Sequence, residues 1–127
     1  DFEAELPVEE GNVLCDPLNH VAKISVIDRH HGSDISATGF VRGFGLERGA
    51  LAASTNCENQ NLVVIGACEE DMLIAAQALQ KCGGGYVCVD EGEVSALLPL
   101  PLAGIMSDQP WEQVVKGWTE QIWRLKR

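Results

Sequence analysis

The stretch from Leu62 to Leu98 decides the fold, and it reads LVVIGACEEDMLIAAQALQKCGGGYVCVDEGEVSALL. It opens with a short apolar run, Leu62–Gly66, which is typical of a strand buried on both faces in the centre of a sheet. Three carboxylates, Glu69–Asp71, favour a helix start because they interact well with the positive end of the helix dipole. The helix is predicted to run to about Lys81, with an apolar stripe of Met72, Ala75, Ala76 and Leu79.

Three glycines, Gly83–Gly85, are expected to end this helix because glycine readily takes the left-handed conformation found at helix C-termini. Residues 86–90 predict another strand, and a turn at 90–92 joins it to a hairpin partner at 93–98. The order strand, helix, strand, hairpin predicts an α/β fold in the layered α+β sense, with a mixed sheet and helices packed on it. At 127 residues the chain is expected to form a single domain.

The sequence upstream of this stretch predicts further strands. Residues 21–28 have a β-branched bias and predict a strand, which places His30 and His31 on the loop that leaves it. Frequent glycines from Gly39 to Gly49 predict short strands or turns, and a strand is expected at about Ala50–Ser54.

Residues 1–12 are acidic, contain Pro7 and Gly11, and are predicted to be a linker or N-terminal tail without regular structure. The domain proper is therefore expected to span residues 13–127. The first residue is Asp1 and not Met, which suggests a piece cut from a longer protein. The segment also lacks the basic and then apolar character of a signal peptide.

Composition narrows the range of partners. Nine Lys and Arg stand against nineteen carboxylates, which gives a net charge of −10. Such a chain repels phosphate backbones and anionic lipids, so neither nucleic acid nor a membrane is an expected partner. The five cysteines form no C-x-x-C pair and no even set, which favours a reducing, cytoplasmic location.

The C-terminal part combines an apolar loop with an amphipathic helix. Residues 99–106 are apolar and stiffened by two prolines, and loops of this composition normally cover something. The helix expected after Pro110 has an apolar face that is predicted to pack inward, made of Trp111, Val114, Val115, Trp118, Ile122 and Leu125. Trp123 lies off this face. The loop and Trp123 are therefore expected to be partly exposed and to contact another domain or a second copy, as in a homodimer.

Two segments carry the candidate chemistry. His30 and His31 could bind a metal or act as a base, but adjacent histidines without a third ligand more often have a structural role. Cys57 could pair with either histidine as an activated thiol, although the sequence signal for this is weak. Because loops that leave neighbouring strands gather at one edge of a sheet, we expect these histidines to lie beside residues 54–61. The candidate polar or ligand cluster consists of His30, His31, Ser54, Cys57, Glu58 and Asn61, and no catalytic residue is predicted.

Several blocks, in the same order, are similar to the C-terminal domain of bacterial and archaeal adenine deaminases. The resemblance extends over about residues 13–127, and the blocks that carry it are Arg29–Gly32, Gly39–Leu46, Gly49–Ala50, Glu70–Met72, Gly83–Gly85 and Leu98–Asp108. The resemblance implies a hydrolytic enzyme of purine salvage that converts adenine and water to hypoxanthine and ammonia. In that family an upstream amidohydrolase barrel binds manganese or iron and performs the reaction, so this chain is expected to bind no cofactor itself.

One segment departs from the family pattern. Where the family commonly has S-V-A-H-D-S-H-N, residues 54–61 read S-T-N-C-E-N-Q-N, so that Cys57 and Gln60 replace two histidines. Residues 54–61 and the neighbouring His30 and His31 are accordingly expected to bind no metal tightly. The alternative outcome is that a Cys57 thiolate recruits zinc. The first hypothesis is a structural or active-site-covering domain of an adenine-deaminase-like enzyme. The alternative is an independent purine-binding or protein-interaction module.

Overall fold

The computed structural model describes residues 3–56 and 58–125, with side chains up to residue 120. Among these residues, two helices and eight strands follow one another, and one 3₁₀ turn, Pro17–Asn19, precedes the third strand. In order they are β1 (Val8–Glu9), β2 (Asn12–Val13), β3 (Val21–Ile27), β4 (Ser36–Arg42), β5 (Ala50–Ala53), β6 (Leu62–Gly66), α1 (Glu69–Cys82), β7 (Gly85–Asp90), β8 (Glu93–Pro99) and α2 (Trp111–Leu125). The predicted α+β fold with helices packed on a sheet is confirmed.

Six strands form the main sheet in the order β4-β3-β6-β5-β7-β8, and β6 has the predicted central position. Every neighbouring pair is antiparallel, so the expectation of a mixed sheet is wrong. The reason lies in β5, which pairs with both β6 and β7 and separates them. The crossover through α1 does make β6 and β7 parallel to each other, but they are not neighbours.

The core lies between α1 and one face of the sheet. The helix contributes Met72, Ala75 and Leu79, and the strands contribute alternate residues that include Val64 and Val87. Burial of each large aliphatic side chain contributes roughly 1.5–3 kcal/mol, so this layer is the main source of stability. We predicted that β6 is buried on both faces. The face towards α1 is buried, but the opposite face is only partly buried.

The residues at the two ends of α1 have the roles that the sequence predicts for them. Glu69, Glu70 and Asp71 occupy the first turn, and Lys81 lies in the last. Gly83 takes the left-handed conformation with φ 84° and its N–H donates to the carbonyl of Leu79. The helix therefore ends where the chain can turn directly into β7.

The N-terminal tail contains structure that the composition did not predict. β1 and β2 pair as a short hairpin, with Val8 opposite Val13. The turn residues Glu10 and Gly11 both have positive φ, 49° and 82°, which is the geometry that tight hairpins prefer. The sequence signal for this turn is the pair Glu10-Gly11. The nearby Pro7 favoured the prediction of a tail without regular structure.

Helix α2 lies on the opposite face of the sheet, where it rests on β7 and β8. Its Trp118 ring packs edge-on against Tyr86 with ring centroids 4.4 Å apart. The prediction that its whole apolar face packs inward is wrong, because Trp111 and Val115 are exposed. The side chains of Ile122, Trp123 and Leu125 lie outside the described residues, so the predictions made for these three side chains stay predictions. Neither α1 nor the described part of α2 is long and apolar enough to cross a membrane.

Candidate functional site

Six strand ends, one from each strand of the main sheet, meet at one edge of the sheet, which we call the loop edge. The register places Ile27 of β3 opposite Leu62 of β6, and Ala53 of β5 opposite both Val63 and Tyr86. The loops that start or finish there are residues 28–35, 54–61, 83–84 and 100–110. The structure thereby brings the two predicted segments, with the glycine turn and the apolar loop, into one region.

Ser54 is the buried centre of the loop edge. It follows β5 directly, and its relative exposure is 0%. Its Oγ accepts a hydrogen bond from the Gly85 N–H at 2.7 Å and donates one to the Gly104 carbonyl at 2.6 Å. One hydroxyl therefore joins the start of β7 to the apolar loop.

Arg29 makes a second link between the same loops. Its Nε donates to the carbonyl of Gln60 at 2.6 Å, and its Nη2 donates to the carbonyl of Ala103 at 2.6 Å. Arg48, by contrast, pairs with the carboxylate of Asp90 at 2.9 Å. The partners of Arg29 are backbone carbonyls, which carry no signature in the sequence.

The two histidines have different partners. His30 Nε2 lies 2.8 Å from the carbonyl oxygen of Asn59, and because a carbonyl only accepts, Nε2 carries the proton in this contact. His31 Nδ1 lies 3.1 Å from both carboxylate oxygens of Asp28. The rings meet edge to face with centroids 6.4 Å apart. They therefore do not point at a common ligand.

The segment of residues 54–61 is held by its own polar groups. Asn56 Nδ2 donates to the carbonyl of Asn61 at 3.1 Å, and the Asn61 N–H donates to Asn59 Oδ1 at 3.0 Å. Within the described part of the chain, Asn56 Oδ1 and Asn61 Oδ1 are buried without a donor. Glu58 is exposed. Cys57 lies outside the described residues, so its role stays a prediction.

The described residues do not form a metal-ligand set. No three His, Cys, Asp or Glu side chains among residues 3–56 and 58–120 come close enough together to hold an ion. Burial also raises the pKa of the Cys88 thiol to about 11, so its reactive thiolate is scarce at neutral pH. The arrangement fixes loops through hydrogen bonds to the backbone.

Asp28 gives the loop edge a pH dependence. The pKa of its carboxyl is lowered from 3.8 to about 2, chiefly by a hydrogen bond from Ser33 Oγ and then by one from the His30 N–H. A lowered folded-state pKa means that the stabilisation is fully present above about pH 4 and is lost as the pH falls towards 2. We expect Asp28→Asn to remove this part of the acid sensitivity, measured as the urea midpoint between pH 4 and pH 2.

The matched control is Asp34→Asn, which changes an exposed aspartate of the same loop. The informative quantity is the difference in pH dependence between each variant and the parent protein. Identical pH profiles for Asp28→Asn and the parent would show that Ser33 and His30 do not stabilise the carboxylate.

Comparisons with known proteins give one consistent result. The whole chain, residues 1–127, matches the family described as the adenine deaminase C-terminal domain. The adenine deaminase of Clostridium botulinum (strain ATCC 19397 / Type A) is 47% identical over 112 residues, which cover 88% of this chain. Those of Gluconobacter oxydans and Moorella thermoacetica are 50% and 45% identical and cover 87% and 94% of it. The chain spans only 19–21% of the length of these relatives.

Proposed function

The chain belongs to the adenine deaminase C-terminal domain family, and we propose that it serves as a non-catalytic domain of an adenine-deaminase-like amidohydrolase. The proposed reaction of the whole enzyme is the hydrolysis of adenine to hypoxanthine and ammonia. The observation that carries the proposal is that 87–94% of the chain matches only about one-fifth of each relative. The remaining four-fifths has room for a catalytic barrel, the proposed partner of this domain.

The geometry of the loop edge supports a structural role. Ser54, Arg29 and His30 all contact backbone carbonyls of other loops. A general base needs a free lone pair directed at the proton that it removes, and His30 Nε2 instead donates its proton to Asn59. These side chains therefore position loops, and the loops can cover a neighbouring active site.

Metal chemistry is assigned to the barrel. Manganese or iron, which the family resemblance implies, would activate water there. The described residues of this chain do not fit as ligands of such an ion, so no step of the reaction is assigned to them. The four described cysteines form no disulfide with one another, which supports the proposed cytoplasmic location.

We expect the isolated chain to form no hypoxanthine from adenine, with or without added manganese or iron. Fusion of the chain to the Clostridium botulinum enzyme, in place of the 112 residues that it matches, should give an active deaminase. The assay measures the conversion of adenine to hypoxanthine by ultraviolet absorbance and by chromatography.

Two controls accompany this assay. The same enzyme truncated before the matched residues reports what the catalytic part does alone. An unrelated domain of similar length in the same position reports any nonspecific effect of fusion. Hypoxanthine formed by the isolated chain in proportion to its concentration would contradict the proposal, and so would a well-folded fusion that is no more active than the unrelated one.

A further inference from the structure

Helix α2 presents an apolar stripe that the described residues of the chain cover only at its Trp118 end. Trp111, Val115 and Trp118 follow one another at steps of four and three residues and so share one side of the helix. Trp111 is 70% exposed and Val115 is 52% exposed. A helix with this pattern normally buries its stripe, and residues 3–56 and 58–120 do not supply a partner for Trp111 and Val115.

The apolar loop adds a second wall beside this stripe. Residues 102–106 form a tight turn in which the Leu102 N–H donates to the Met106 carbonyl at 3.1 Å. Leu102, Ile105 and Met106 are exposed at its surface. The turn is not free to collapse onto the helix, because Ser54 bonds the Gly104 carbonyl and Arg29 bonds the Ala103 carbonyl.

A cleft of about 340 Å³ separates the turn from the helix. Tyr86 and Leu98 form part of its lining, and Ile105 and Trp118 contribute from the turn and from α2. Its volume suits one or two apolar side chains. The turn, the cleft and the exposed stripe of α2 together form what we call the α2 surface.

We infer that the α2 surface binds an apolar segment of the catalytic part of the same polypeptide, an inference that rests on the proposed function. The first argument is length, since about four-fifths of each relative lies outside the match. The second argument is charge. Residues 99–107 contain no charged side chain, whereas the chain as a whole carries −10. An apolar surface within an acidic molecule fits an uncharged segment better than a second copy, which would bring the same negative charge to the rim.

Tethering strengthens the argument for a partner in the same polypeptide. A segment joined to the domain has a high effective concentration, so a contact of a few side chains is enough to dock it. A separate molecule would need a much larger interface, of about 1,000 Å² or more in total.

The test measures amide hydrogen exchange in residues 102–119 of the isolated chain and of its fusion to the Clostridium botulinum catalytic part. Docking should slow exchange in the fusion by about tenfold or more, which corresponds to roughly 1.4 kcal/mol of added protection. Val115→Asp should return exchange in the fusion to the rate of the isolated chain. Leu73→Asp, which changes a 59% exposed aliphatic residue of α1, is the matched control and should leave the protection unchanged.

The outcomes separate this inference from the proposed function. An active fusion whose residues 102–119 exchange as fast as in the isolated chain would overturn the inference alone. An inactive fusion with the expected protection would overturn the proposed function and uphold the docking surface. Protection of the isolated chain that grows with its concentration would identify a second copy as the occupant and overturn the inference. A fusion that does not unfold cooperatively is replaced by the equivalent fusion to the Moorella thermoacetica enzyme, which keeps the tether and the readout.

Discussion

Replacement of Gly85 with alanine is expected to lower the free energy of unfolding by about 4 kcal/mol, enough to unfold a large fraction of a marginally stable domain. Gly85 starts β7 with φ +135°, a conformation that side chains other than glycine rarely adopt. A Cβ at this position would overlap the carbonyl oxygen of Leu98 and lie 3.0 Å from the Leu100 nitrogen. Both are backbone atoms, one near the end of β8 and one just after it, so neither can move aside without breaking the edge of the sheet.

Gly83→Ala is the matched control for this prediction. Gly83 belongs to the same run of glycines and has φ +84°, but a Cβ there meets nothing within 4 Å. Its replacement should cost only about 1 kcal/mol, the strain of the left-handed conformation alone. Urea unfolding followed by far-ultraviolet circular dichroism compares the two variants. Equal losses would show that the clash with β8 does not exist.

The sequence correctly predicted the part of the fold that depends on interactions between residues close together in the chain. The run β6, α1, β7, β8 has an apolar strand, an acidic first turn, a glycine cap and a hairpin turn, and all these signals act within a few residues. The insertion of β5 between β6 and β7 depends on pairings with strands on both sides. No periodicity in the sequence reports strand order, and the sheet was therefore expected to be mixed.

The loop edge was predictable only in outline. The expectation that the histidine loop and residues 54–61 lie together followed from the placement of loops at one end of a sheet, and His30 does contact the carbonyl of Asn59. The links that define the region join Arg29 to a carbonyl 74 residues away and Ser54 to one 50 residues away. Every residue has a carbonyl, so such partners leave no trace in the sequence. The ligand role of the cluster stays a prediction.

Helix α2 illustrates a different limit. Its apolar periodicity correctly predicted a helix. Periodicity predicts that one face of a helix is buried, but it does not predict which part of the molecule covers that face. Within this chain only part of that face meets the sheet, through contacts such as Trp118 with Tyr86. The prediction of an inward-facing stripe failed at Trp111 and Val115, and this failure is what points to a docking surface.

Ser54→Ala should lower the free energy of unfolding by about 2–4 kcal/mol, although it removes a single oxygen atom. The Ser54 hydroxyl is fully buried and satisfies the Gly85 N–H and the Gly104 carbonyl together. Alanine would leave both backbone groups buried without this partner, and each unsatisfied group costs about 1–3 kcal/mol. Thermal and urea unfolding of the variant and the parent measure the loss.

Ser25→Ala is the matched control, because it also removes a hydrogen-bonded hydroxyl group but does so at an exposed site. Ser25 Oγ lies 2.8 Å from Thr38 Oγ1 in an exposed pair on the sheet, so water can replace the lost partner and the cost should stay below about 1 kcal/mol. Ser54→Ala should also speed amide exchange at Ile105 and Met106, because the turn that contains them loses its anchor at Gly104. Equal stability losses for the two variants, with unchanged exchange in the turn, would mean that the Ser54 hydroxyl does not tie the apolar loop to β7.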